Sequence, residues 1–78
     1  MAHVRVRLLG TLPALLKREE SSFEVDVPAG SSLADVVRVI GIPDSLVMIF
    51  TVNGRVYGRE YQPSDGDEIG VLPAVAGG

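Results

Sequence analysis

The sequence predicts a small α+β domain: one mixed sheet of about five strands with a single main helix across one face. Three observations carry this expectation. Short segments alternate polar and apolar residues with the period of a half-buried strand. One internal segment instead repeats its apolar residues at helical spacing between two capping signals. Asn53-Gly54, placed between two apolar-rich segments, is the dipeptide of a tight hairpin. With 78 residues the chain is the size of one domain near the lower limit for independent folding. Its composition is 46% hydrophobic but only 5% aromatic, so the core has to be built from Val, Leu and Ile.

The elements follow in order. His3, Arg5 and Arg7 alternate with Val4, Val6 and Leu8, a first strand with one buried face. Gly10, Thr11 and Pro13 interrupt the pattern, and Leu12, Leu15 and Leu16 ahead of Lys17-Arg18-Glu19-Glu20 read as a short packed turn or helical piece. Phe23, Val25 and Val27 alternate with Glu24 and Asp26, giving a second strand that pairs with the first and stops at Pro28-Ala29-Gly30. Leu33, Val36, Val37 and Ile40 then fall on one helical face. Ser32 with Asp35 makes a capping box, and Gly41 with Pro43 supplies a stop. The valines are poor helix formers, so a strand competes with the helix here; caps at both ends favour the helix. Val6, Val37 and Ile40 are expected in the core. Residues 46–52 read as a third strand, Arg55-Val56-Tyr57 as its hairpin return, and Ile69, Val71 and Leu72 as a last strand after the turn Pro63-Ser64-Asp65-Gly66. Gly70 marks a close approach of neighbouring backbone, and Pro73, without an N–H, ends the strand. The expected organisation is a folded domain over 1–72 and an extended, flexible diglycine tail over 73–78.

Composition removes several classes of function. There is no cysteine, so disulfides, thiolate zinc sites, iron–sulfur ligation and a cysteine nucleophile are all excluded. The single His3, expected to be simply solvated, cannot build a catalytic triad or a metal pair. A formal charge of −3 argues against a nucleic-acid partner. The longest apolar run, Leu46 to Phe50, is too short to cross a membrane, and the alternating start lacks the apolar stretch of a signal peptide; a cytoplasmic chain is expected. Asp65, Asp67 and Glu68 lack calcium-loop spacing and read as a polar turn. No Gly-rich loop ends in Gly-Lys-Ser/Thr, so the chain is expected to hold no ATP itself. Arg5, Arg7, Arg55 and Arg59 read equally as a docking face for acidic groups and as solvated strand positions.

This leaves Pro73-Ala74-Val75-Ala76-Gly77-Gly78. Two glycines at the end make a strand with no side chain, thin enough for a narrow channel, and place the terminal carboxylate as the reactive group. A frayed terminus has the same composition. Leu72, Pro73, Val75 and Ala76 beside the glycines suit a partner's groove, and Leu72 serves equally well as core.

Taken together, the Val4-Arg5-Val6 opening strand, the Leu12–Leu16 segment, the helix after Ser32, Val52-Asn53-Gly54, and Asp65-Gly66-Asp67-Glu68-Ile69 leading to the diglycine tail resemble the MoaD/ThiS sulfur-carrier family over nearly the whole chain. The resemblance implies a ubiquitin-like β-grasp fold with the first and last strands parallel at the sheet centre. It implies a carrier and not an enzyme: Gly78 adenylated by an activating enzyme of the MoeB/ThiF type that uses ATP, then converted to a thiocarboxylate, with Gly77 allowing the tail to thread. The Leu12–Leu16 segment is closer to the molybdopterin-synthase small subunit, implying that enzyme's large subunit as a partner. Thiazole synthase is the partner in the thiamin alternative. An isopeptide-forming modifier and an interaction module without tail chemistry are the remaining alternatives.

Overall fold

The computed structural model describes residues 1–10, 12–15 and 19–73. Strand β1 (Ala2–Leu8) is followed by a single helical turn α1 (Leu12–Leu15), strand β2 (Ser22–Val27), helix α2 (Leu33–Ile40), a 3-10 turn (Asp44–Leu46), and strands β3 (Val47–Val52), β4 (Arg55–Tyr57) and β5 (Glu68–Pro73). The five strands form one mixed sheet in the order β2-β1-β5-β3-β4. β1 and β5 run parallel at its centre and every other neighbouring pair is antiparallel. This is the β-grasp arrangement that the resemblance implies.

Helix α2 wins over the strand alternative because its ends are satisfied. Ser32 has an extended backbone and its side chain accepts the Asp35 N–H, while the Asp35 carboxylate accepts the Ser32 N–H at 3.1 Å. Hydrogen bonding to the Asp35 carboxylate from the Ser32 N–H, and after it from the Ser32 side chain, holds that carboxyl below its ordinary range. The next two amides are covered from outside the helix: Leu33 N–H donates to the Tyr61 carbonyl and Ala34 N–H to that of Arg59. At the other end Gly41 takes a left-handed conformation, and the N–H groups of Gly41 and Ile42 both reach the Val37 carbonyl. Capping outweighs the weak propensity of three valines in eight residues.

The core lies between α2 and one face of the sheet. Val4, Val6 and Leu8 of β1, Val27 of β2, Phe50 and Val52 of β3, Ile69 and Val71 of β5, and Leu33, Val36 and Val37 of α2 are all buried in it. Val6 and Val37 stand where the sequence places them. Ile40, in the last turn of the helix, packs against this core but is only half-buried. Two boundaries also move. Leu46 belongs to the 3-10 turn ahead of β3, and β5 includes Pro73, opposite Val47. A β-bulge between Val47 and Ile49 breaks the regular ladder there, so a residue without an N–H is tolerated at that position.

Asn53 and Gly54 have φ values of 51° and 88°, both positive as a type I′ turn requires. Gly70 sits in the centre of the sheet, where a Cβ would collide with the Thr51 hydroxyl and come within 3.1 Å of Leu9 Cδ1. The sequence points to neighbouring backbone at this position; the space is taken instead by the side chains of Thr51 and Leu9.

Candidate functional site

β5 delivers the chain to its C-terminal segment from the middle of the sheet. Val71 is buried, whereas Leu72 and Pro73 are half-buried, so the exit begins where the strand leaves the core. The exit is braced on both sides. Leu9 N–H donates to the Val71 carbonyl at 2.9 Å, and Leu72 and Pro73 lie opposite Ile49 and Val47. Leu72 is thus neither core nor free, and Pro73 lies inside the strand instead of beyond it. Val75, Ala76, Gly77 and Gly78 lie outside the described residues.

The strand register places Leu72, Ile49, Thr51 and Val56 on the sheet face turned away from α2. Val56 is 72% exposed and Ile49 38%, so an apolar strip stands beside the exit of β5. Sequence reasoning missed Ile49 and Val56. The signal was the run Val47-Met48-Ile49-Phe50, which does not alternate: a strand apolar at successive positions has apolar residues on both faces, and only one face here meets the helix.

The other half of the same face is charged. His3, Arg5 and Arg7 of β1 stand among Glu24 and Asp26 of β2 and Glu68 of β5. Arg7 is 3.8 Å from Glu68 and Arg5 4.0 Å from Glu24, so both arginines already face carboxylates of this chain. His3 is more than a solvated side chain. Its Nε2 lies 2.5 Å from Glu24 and its Nδ1 2.6 Å from Asp26, with about half of the side chain exposed. The hydrogen bond with Glu24, then that with Asp26, pushes the imidazole pKa up, and the same bond with His3 pulls the Glu24 carboxyl down. A shallow cleft of about 160 Å³ opens here, lined by His3, Arg5, Glu24, Gly66 and Glu68. It lies at the start of β5, five residues or roughly 16 Å along the strand from Pro73.

The acidic turn is a structural joint. Asp65 accepts the His3 N–H at 2.7 Å, and Asp67 accepts from the Ser64 N–H and from Asn53 Nδ2. Those carboxylates are committed to the backbone, as expected of a polar turn. Among the described residues no three His, Asp or Glu side chains converge to hold a metal ion, and no helix is long and apolar enough to cross a membrane. The N-terminus of α2, with its amides taken by Ser32, Arg59 and Tyr61, offers no ready anion site.

Parallel β1 and β5 at the centre of a five-stranded sheet, with one helix over a single face, define a ubiquitin-like β-grasp protein. The ThiS family model matches residues 6–78, and the chain belongs to that family. This bears out the resemblance to the MoaD/ThiS sulfur carriers. No curated protein matches. Among solved structures, small archaeal modifier protein 1 of Haloferax volcanii has a TM-score of 0.72 at 18% identity, covering 96% of this chain and 100% of its own. Urm1 of Trypanosoma brucei has a TM-score of 0.72 at 24% identity, covering 97% and 95%. Subunit 1 and 2 of molybdopterin-converting factor from Helicobacter pylori, solved as a protein–protein complex, gives 0.62 at 23% identity, covering 97% and 99%. At these identities the likeness is one of fold.

Proposed function

We propose that this chain is a sulfur carrier whose Gly78 carboxylate is the reactive group, working in molybdopterin biosynthesis. The observation that carries the reading is the position of the exit: β5 leaves the sheet centre beside an apolar strip, and the family match continues through the last residue. A carboxylate resists acyl transfer until its oxygen carries a good leaving group. The Gly78 oxygen attacks the α-phosphorus of ATP held by a partner of the MoeB/ThiF type, expelling pyrophosphate. Hydrosulfide, or a donor equivalent to it, then attacks the acyl carbon of the adenylate, and AMP leaves with the electron pair of the broken C–O bond. The product is a thiocarboxylate at Gly78. The carrier supplies no ATP site and no cofactor of its own, and in this reading it is not an enzyme.

Leu72, Pro73, Val75 and Ala76, together with Ile49 and Val56, form the docking surface, and Gly77 keeps the tail narrow. The molybdopterin assignment draws on the resemblance of the Leu12–Leu16 segment and on the fold shared with the two-subunit Helicobacter complex; the large synthase subunit is then the second partner. A cytoplasmic location accompanies this reading. The likeness to a small archaeal modifier favours a second reading, in which the activated Gly78 forms an isopeptide bond with a lysine of a target.

The test is intact and fragment mass spectrometry of the chain after incubation with ATP, sulfide and its host's activating enzyme. Replacement of one terminal oxygen by sulfur at Gly78 is expected, and is lost on extension beyond Gly78 or in Gly77→Val. Lysine conjugates without any thiocarboxylate would favour the modifier. Normal modification of Gly77→Val would overturn the threading argument.

A further inference from the structure

The polar half of the sheet holds a device that the carrier chemistry does not use. Strand β2 is an edge strand, fastened to the sheet on one side only, by β1. His3 of β1 lies between two carboxylates of that strand, one on each ring nitrogen, at 2.5 Å from Glu24 and 2.6 Å from Asp26. An ionised carboxylate only accepts hydrogen bonds, and a neutral imidazole has one N–H and one lone pair. Both contacts are therefore satisfied together only by the imidazolium. Removing the proton leaves one carboxylate facing a lone pair at hydrogen-bond distance, a repulsive contact, and also removes the charge that separates Glu24 from Asp26.

We propose that His3 is a proton-operated clamp on β2: the imidazolium fastens the edge strand to β1, and loss of its proton loosens β2 while the rest of the sheet stays closed. The groups that face the ring from each side fit this role. Glu24 and Asp26 come from β2, Asp65 from the turn before β5 holds the His3 N–H, and Glu68 of β5 lines the same cleft. Arg5, the cation among the described residues that line this cleft, lies 4.0 Å from Glu24 and is the weaker partner. With more acids than bases around it, the site favours the protonated ring.

The other connections of this sheet end do not titrate with it. Gly66 N–H to the His3 carbonyl, Arg5 N–H to the Asp67 carbonyl, and Asn53 to Glu68 are backbone or amide bonds. They hold β1, β5 and β3 together whatever the state of the imidazole, so the change is confined to the edge.

Two measurements on the full chain test the clamp. Proton–carbon NMR of the His3 ring is expected to give a titration midpoint above 6.5, returning toward that value in the double variant Glu24→Gln/Asp26→Asn. Amide exchange, expressed as protection relative to the unstructured peptide, is expected to fall severalfold in β2 as pH rises through that midpoint, while β3 and β5 stay constant. In His3→Gln the β2 protection is expected to be low and independent of pH over the same range. A His3 midpoint at or below 6.5 overturns the proposal. So does β2 protection that is as flat in the natural chain as in His3→Gln, even with a raised midpoint.

Discussion

The two halves of the sheet face away from α2 are built to opposite rules. On β1 and β2 every outward side chain from His3 to Arg7 meets an opposite charge of the same chain, at 2.5–4.0 Å. On β3 and β4, Ile49 and Val56 stand exposed beside Leu72. A surface whose charges are already paired has little to offer a partner. An exposed apolar strip gains by being covered. The difference separates a half whose charges are paired within the chain from a half that, in the proposed function, receives the partner.

Both halves rest on one core, and the largest effect is expected there. Ile69 is fully buried at the sheet centre, and Ile69→Ala should cost about 2–5 kcal/mol by chemical denaturation. Ile40→Ala, at the rim, should cost clearly less; equal costs would mean that the rim and the centre are packed alike. Next is Asn53, where the halves meet. Its side chain accepts the Glu68 N–H and donates to Asp67, both at 3.0 Å, from a backbone φ of 51° that Ala adopts poorly. Asn53→Ala should cost about 1–3 kcal/mol from the lost bonds and the backbone strain together.

The comparison itself is sharpened by charge placed on the apolar half. Ile49→Asp with Val56→Asp should slow partner-dependent modification of Gly78 at least tenfold, equivalent to about 1.4 kcal/mol, and leave the melting temperature nearly unchanged. Arg7→Gln, on the paired half, should leave that rate where it was. Equal loss in both variants would break the division of the face into two roles.

Much of this was legible in the sequence because local rules agree with the fold. The alternation of β1, the Ser32–Asp35 box and the Asn53-Gly54 turn each follow from a few neighbouring residues. What was not legible depended on residues distant in the chain. His3 pairs with side chains 21 and 23 positions away, and the strip of Ile49, Val56 and Leu72 exists only once β5 lies between β1 and β3. The Pro73 boundary failed for a related reason: the bulge opposite removes the demand for an N–H, and one-strand reasoning cannot see it. The tail residues that carry the proposed chemistry were read from composition and resemblance, and they lie outside the described residues.

The smallest expected effect is the pH dependence of global stability from the paired half. A histidine raised by its partners contributes stability fully present below its unfolded value of 6.5 and lost as pH rises through the higher folded value. Glu24, lowered by the same bond, contributes above its unfolded value of 4.5 and loses this as pH falls through the lower folded value. The stabilisation from the His3–Glu24 contact is therefore greatest between pH 4.5 and 6.5 and declines on either side. The melting temperature of the natural chain should exceed that of His3→Gln most in this window, and the two should converge at alkaline pH. Because the groups are open to solvent, the difference should be small and should shrink in 1 M salt, where screening reaches about 3 Å. A difference that persists unchanged in high salt, or that grows as pH rises, would show that His3 acts through packing and not through its charge, and would return the charged half to an ordinary solvated surface.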